Sequence, residues 1–188
     1  MAEEKGLRRE RITSFSVAQF FTFVRALITD ERTDKQGYCE YIQMNYRGRI
    51  VFVLPITTDG HVVLCKVHRI PAEAWVIDAC GGRLDIVGDD EPTIAQEVLR
   101  EQLGYEARGF EQVFAGPYDS NLTNAEMTCF IAHGAEKVSE PKVEDFEIIE
   151  PVMVPIAELG YLLLHQPEGI KVDIKLFALT YFLTRSSV

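Results

Sequence analysis

What this chain lacks narrows its class before any motif is considered. Basic residues are too few: 19 Lys and Arg stand against 29 Asp and Glu, a net charge of -10. Non-specific binding to DNA or RNA needs a basic face, so no nucleic-acid partner is expected. That charge says little about small anionic ligands, which respond to local groups. Long apolar runs are missing too. The longest, such as 50–56, are far too short to span a bilayer, so no membrane partner is expected. No apolar run follows the charged start MAEEKGLRRER, so no secretory signal is expected. The cysteines Cys39, Cys65, Cys80 and Cys129 form no CxxC and no zinc-type cluster with histidine. They read as reduced thiols of an intracellular, cytoplasmic protein. Internal repeats and low-complexity segments are absent.

What is present is ordinary globular material. The 188 residues are 47% apolar and 26% charged, enough for a proper core. Residues 1–14 are charged and read as an arm. Phe20–Thr29 reads as a strand, with a helix starting after Ser16 as the competing reading, because the apolar spacing is mixed. After a turn at Asp30–Gly37, Tyr38–Met44 pairs back as a hairpin. Residues 1–48 therefore form an N-terminal arm and hairpin, and 49–188 the main domain.

In that domain Arg49–Ile56 and His61–Val67 form a second hairpin around the turn at Thr57–Gly60. Ala74–Asp78 is a short strand leading to two glycines. Glu91–Leu103 is a helix: Ile94, Val98 and Leu99 share a face, Pro92 suits the first turn, and Gly104 suits the stop. Phe110–Phe114, Met127–His133 and Ile148–Val154 are strands, with a polar loop at Gly116–Ala125. Ile156–His165 and Ile170–Leu183 read as closing helices. This order predicts a mixed sheet with helices packed on it, not a regular βαβ winding.

The stretch GRLDIVGDDEPTIAQEVLREQLGY, Gly82–Tyr105, resembles the Nudix superfamily, most closely its ADP-ribose pyrophosphatase branch. The family box is G-x5-E-x7-R-E-U-x-E-E-x-G-U, with U a bulky apolar residue. The likeness extends over nearly the whole chain. It includes the leading pair RIVFVLPITTDGHVVLCKVHR, the approach DACGGRLD, the segment FAGPYDSNLTNAEMTCFIAHG and the closing EIIEPVMVPIAEL. It implies an α/β/α sandwich around a mixed β-sheet. It also implies a homodimer in which N-terminal strands cross, with Phe20, Phe21 and Phe23 as apolar surface. The alternative is that these three fill the monomer's own core.

Placed on the box, Gly82 takes the first glycine, with one residue inserted in the 83–88 loop. Asp89 stands at the first glutamate, Glu97 at the arginine, Val98 at the next glutamate and Leu99 at the apolar position. Glu101 and Gln102 stand at the last two glutamates, and Gly104 and Tyr105 complete it. In the family the second and last glutamates, four apart on one helix face, hold magnesium with the carbonyl that precedes the first glycine. Here those positions are Val98, Gln102 and Gly81. A valine cannot ligate, and a glutamine brings no charge to a hard cation. A displaced metal site on Glu97 and Glu101, with Asp89 or Asp85, is the rescue reading. It requires the helix to turn by roughly 100°.

The resemblance also implies catalysis by metal-assisted attack of water on a diphosphate. Its catalytic candidates are Glu97 and Glu101, and for the late-loop glutamate Glu144 and Glu147. Ligand-binding candidates are Arg69, Gly81, Gly82, Arg83, Asn124 and Glu126, with Tyr118 and Asn121 in the same loop. Each has a structural alternative: a tight turn for the glycines, a solvated surface for the arginines and loops. Trp75 reads as packing on the sheet. Three functions stay open. One is a divergent, largely silent Nudix protein that binds a nucleotide diphosphate or serves as an interaction subunit. Another is a working hydrolase of ADP-ribose or a nucleoside diphosphate sugar, with Mg2+ as cofactor. The last is a structural subunit without a pocket.

Overall fold

The computed structural model describes residues 7–15, 19–45, 49–83, 90–143, 145 and 147–183. Residues 1–49 with 116–126 form one compact unit, and residues 50–115 with 127–188 another.

The first unit is built on a three-stranded antiparallel sheet of β1 (Leu7–Phe15), β2 (Phe21–Asp30) and β3 (Lys35–Met44), with β2 central. Phe21–Asp30 is thus a strand, not a helix, and pairs with β3 from Phe21↔Met44 to Asp30↔Lys35. The charged arm is a correction. Residues 7–15 pair along β2, with a bulge between Arg9 and Arg11. Residues 8–15 of β1 are exposed, so backbone hydrogen bonds rather than apolar burial hold them, and no apolar alternation marks the strand in the sequence. Side chains add Arg9 Nη1 donating to the Tyr41 hydroxyl at 2.8 Å and Arg8 pairing with Glu10 at 2.7 Å.

The second unit contains β4 (Arg49–Thr57), β5 (His61–Arg69), β6 (Ala74–Asp78) and β7 (Cys80–Arg83), followed by α1 (Glu91–Leu103). Next come β8 (Tyr105–Glu106), β9 (Gly109–Pro117), β10 (Glu126–Lys137), β11 (Ile149–Pro155), α2 (Ile156–Leu164), β12 (Ile170–Val172) and α3 (Lys175–Leu183). Among the described residues the strands form one sheet in the order β12-β6-β5-β4-β10-β8, with β11 on β5, β7 on β4 and β9 on β10. The sheet is mixed, because β12 runs parallel to β6 while β5 is antiparallel to both β6 and β11.

Strand alternation divides the core between two faces. Val51, Val53, Val63, Cys65, Phe130 and Ala132 pack with Ala95, Val98, Leu99 and Leu103 of α1. Their neighbours Phe52, Leu54, Val62, Leu64, Cys129 and Ile131 pack with Leu159 and Leu163 of α2 and Leu176, Leu179 and Leu183 of α3. Helices on both faces of a mixed sheet make the α/β/α sandwich that the sequence predicts.

Helix α1 starts where Asp90 Oδ1 accepts the Thr93 N–H at 2.9 Å, and these Thr93 bonds hold the Asp90 carboxyl below its ordinary range. It stops at Gly104, with φ 76°, whose N–H returns to the Arg100 carbonyl at 2.9 Å. The expected helix at Ile170–Leu183 is shorter than predicted. Ile170–Val172 add a strand beside Trp75–Ile77, and α3 begins only after Asp173, whose Oδ1 accepts the Lys175 N–H. Two β-branched residues of three at that point favour the pleated edge over another helical turn. No helix among the described residues is long and apolar enough to cross a membrane.

Candidate functional site

The junction of β7 with α1 is where the box residues meet. Gly81 and Gly82 do not form the tight turn that was the structural alternative for them. They lie in β7, opposite Phe52 and Val51 of β4, and neither has positive φ. Close approach explains them. A Cβ on Gly81 would lie 2.7 Å from the Phe52 ring, and one on Gly82 would lie 2.4 Å from Val98 Cγ2. Val98 thus abuts the strand from the helix side, 7% exposed within the core.

Gln102 closes the same junction with its carboxamide. Its Oε1 accepts the Gly81 N–H at 3.1 Å, and its Nε2 donates to the Gly81 carbonyl at 2.9 Å. Only one orientation of the amide makes both bonds, since the flipped amide would set donor against donor and acceptor against acceptor. The side chain pairs with Gly81 much as a neighbouring strand would, and so caps the backbone on that side of β7.

The three positions that the resemblance gives to magnesium are therefore a buried valine, an uncharged amide and a carbonyl already bonded to that amide. These residues do not fit a hard divalent cation, which needs anionic oxygens with free lone pairs. Among the described residues no group of three His, Cys, Asp or Glu side chains is placed to hold a metal ion. Helix α1 has not turned: Val98 and Leu99 face the core, and Glu97 and Glu101 are exposed on the outer face. Asp85, Asp89 and Glu144 lie outside the described residues. Glu147 is exposed just before β11.

The other candidates lie elsewhere in the fold. Arg83 is exposed at the end of β7. Asn124 Oδ1 accepts the Met44 N–H at 2.8 Å, and beside it Ile42 N–H donates to the Leu122 carbonyl at 2.8 Å. Glu126 pairs with Arg49 at 3.7 Å. The Asp119 carboxylate accepts the Asn121 and Leu122 N–H groups and shapes the loop's turn. Trp75 is half-buried, with Lys66 Nζ 4.5 Å from its ring centroid and His68 edge-on at 5.5 Å.

Arg69 belongs to an ion cluster around the buried Asp78 that the sequence reading missed. Its Nη2 lies 3.3 Å from Asp78 Oδ2, and Lys175 Nζ lies 3.5 Å from the same oxygen and 2.6 Å from Asp173 Oδ1. Burial pushes the Asp78 carboxyl up from its ordinary range, against the opposing pull of Lys175 and Arg69. The sequence signal was a lone acid inside the apolar run AWVIDAC. Nearby, burial pushes the Cys129 thiol up to about 11, so at neutral pH it is not a nucleophile. A cavity of about 270 Å³ beside α3, lined by Phe114, Met127, Cys129, Leu179 and Phe182 among others, is apolar and offers nothing to a diphosphate.

No family model matches the chain. Two curated proteins are similar to it: the methanol dehydrogenase activator of Bacillus methanolicus and the ADP-ribose pyrophosphatase of Bacillus subtilis (strain 168). Each is 22% identical over 157 residues, which cover 83% of this chain and 80% of the relative. Among solved structures, the crystal structure of an ADP compounds hydrolase superposes with a TM-score of 0.80 at 16% identity, covering 99% of this chain and 96% of the other. Fold and sequence together relate this chain to the ADP-ribose pyrophosphatase-like Nudix proteins.

Proposed function

We propose that this chain is a divergent Nudix-fold protein with weak or absent hydrolase activity, acting as a nucleotide-diphosphate binder or as an interaction subunit. One observation carries the reading: the Gln102 amide occupies both polar groups of Gly81, while Val98 fills the space beside Gly82. A diphosphate hydrolase of this fold needs a cation at that place to neutralise charge in the transition state. One relative is named as an activator of methanol dehydrogenase, which supports a partner-directed role, and another, equally similar, is named as an ADP-ribose pyrophosphatase, which supports a nucleotide-diphosphate ligand.

The test is a thermal-shift panel of ADP-ribose, nucleotide sugars and dinucleotides, each with Mg2+ and with chelator, beside a chromatographic assay for the nucleoside monophosphate that cleavage of the diphosphate bond releases. A binder is stabilised by its ligand equally in both buffers, by about 2.7 kcal/mol at a hundredfold excess over Kd. Turnover of ADP-ribose at roughly 1 s⁻¹ or faster with Mg2+ would replace this reading with the working hydrolase.

The same proposal includes a homodimer formed through the first unit. Phe20, Phe21 and Phe23 are 36%, 39% and 54% exposed, and Phe15, opposite Phe23 on β1, is 63% exposed, which supports an apolar surface over a filled monomer core. Apolar side chains grouped this way on one sheet mark an interface. Light scattering is expected to give twice the chain mass, and Phe23→Glu to give a monomer. A monomeric wild type at micromolar concentration sinks the dimer.

A further inference from the structure

We infer that the Gln102 carboxamide stands in for a divalent cation at the β7–α1 junction, so that Gln102→Glu alone turns this junction into one that requires a cation. The inference concerns what holds strand to helix. It does not depend on whether the chain binds or hydrolyses any nucleotide.

The geometry leads to it in two steps. The amide nitrogen supplies the positive end of a dipole between two oxygens, its own Oε1 and the Gly81 carbonyl, 2.9 Å from the latter. A glutamate at 102 keeps the bond from the Gly81 N–H, now 3.1 Å from Oε1. Its second oxygen then faces the Gly81 carbonyl, acceptor against acceptor. Two oxygens in contact with no proton between them repel, and they are reconciled by separation, by a proton that the carboxylate takes up at low pH, or, at alkaline pH where the melting comparison is made, by a cation that binds both.

Separation is restricted here. Leu99 and Leu103, on either side of Gln102 along the helix, are both fully buried. Gly82 is already in close contact with Val98, and Gly81 with Phe52. The strand and helix therefore cannot slide apart without disturbing the core. A cation at this place would have one carboxylate oxygen, one carbonyl and water, the partly hydrated environment that Mg2+ and Mn2+ accept.

The experiment compares thermal unfolding of wild type, Gln102→Glu and Gln102→Met at alkaline pH, in chelator and in millimolar Mn2+ or Mg2+. Wild type is expected to melt within about 1 °C in both buffers. In chelator both variants are expected to melt roughly 4–8 °C lower. Cation is expected to restore about half of that loss in Gln102→Glu and none in Gln102→Met, with Mn2+ bound to Gln102→Glu alone by electron paramagnetic resonance. Equal melting of wild type and Gln102→Glu in chelator overturns the inference, and so does a loss that no cation repairs. If Gln102→Glu does not fold, hydrogen exchange on the wild type decides: the Gly81 amide must be protected equally in chelator and in Mg2+. An unprotected amide, or one protected only with metal, overturns it. Mg2+-dependent hydrolysis by the wild type would remove the functional reading but leave these melting differences untouched.

Discussion

Lys175→Ala is expected to lower stability by about 3–5 kcal/mol at neutral pH, because it strips the counter-charge from a buried carboxylate. The Asp78 side chain is 3% exposed and that of Lys175 10%, so neither is screened by water. Arg69 also reaches Asp78, but its side chain is 47% exposed and it is the weaker partner. The loss should depend on pH with a definite sign. Burial raises the folded Asp78 carboxyl above its ordinary 3.8. Between that value and the raised one the folded chain holds a proton that the unfolded chain has released, so stability falls as pH rises through this window. Removing Lys175 raises the folded value further and widens the window. The penalty is therefore largest at pH 7 and shrinks toward about pH 3, below the ordinary 3.8, where Asp78 is neutral in both states. Urea unfolding at the two pH values measures this. Equal losses at both would show that Lys175 acts by packing, for instance through its 5.0 Å approach to the Phe52 ring. A joint Asp78→Asn, Lys175→Met change is expected to recover most of the loss, since the charges that lose a partner, Asp173 and Arg69, are 27% and 47% exposed and reach water.

Gly104→Ala is expected to be of similar size for an unrelated reason. Gly104 ends α1 with φ 76°, which costs an L-residue about 1–2 kcal/mol. A Cβ there would also sit 2.1 Å from the Ser139 carbonyl oxygen, a backbone atom that no rotamer change can move. The chain is tied at this point, because the Val138 and Ser139 N–H groups both donate to the Gly104 carbonyl, at 2.9 and 3.1 Å, and Lys142 N–H donates to Glu101 at 2.7 Å. Relief must shift the end of α1 away from residues 138–142, adding about 1–3 kcal/mol of overpacking. Gly104→Asn separates the two contributions. Asparagine tolerates the left-handed backbone but keeps the Cβ, so it is expected to recover only the conformational part. A melting temperature for Gly104→Ala within about 2 °C of wild type would show that residues 138–142 yield freely.

Much of the architecture was readable along the chain because its signals are local. Pro92 and Gly104 bound α1 at Glu91–Leu103, since a first-turn proline and a left-handed stop act within one turn. The apolar runs RIVFVLPI and HVVLCKV, joined by a turn ending in Asp-Gly, foretold strands, and their apolar residues on both faces agree with helices above and below. Strands whose pairing brings no burial were illegible. β1 looked like a charged arm, and β12 looked like the first turn of a helix, because edge pairing leaves little trace in an apolar pattern. The Asp78–Lys175 pair was invisible for another reason: its members are far apart in sequence, and each alone looks like an ordinary charge.

The sequence by itself determined that a valine and a glutamine stand at 98 and 102, where the resemblance places carboxylates, because side-chain chemistry at a fixed helix register is a local property. Only the tertiary structure decided what those two side chains do. That Gln102 takes both polar groups of Gly81, and that Gly82 is bare because Val98 needs its space, depends on how closely one strand and one helix approach. Approach distances are set by the packed core beneath both elements, and no stretch of either carries that information alone.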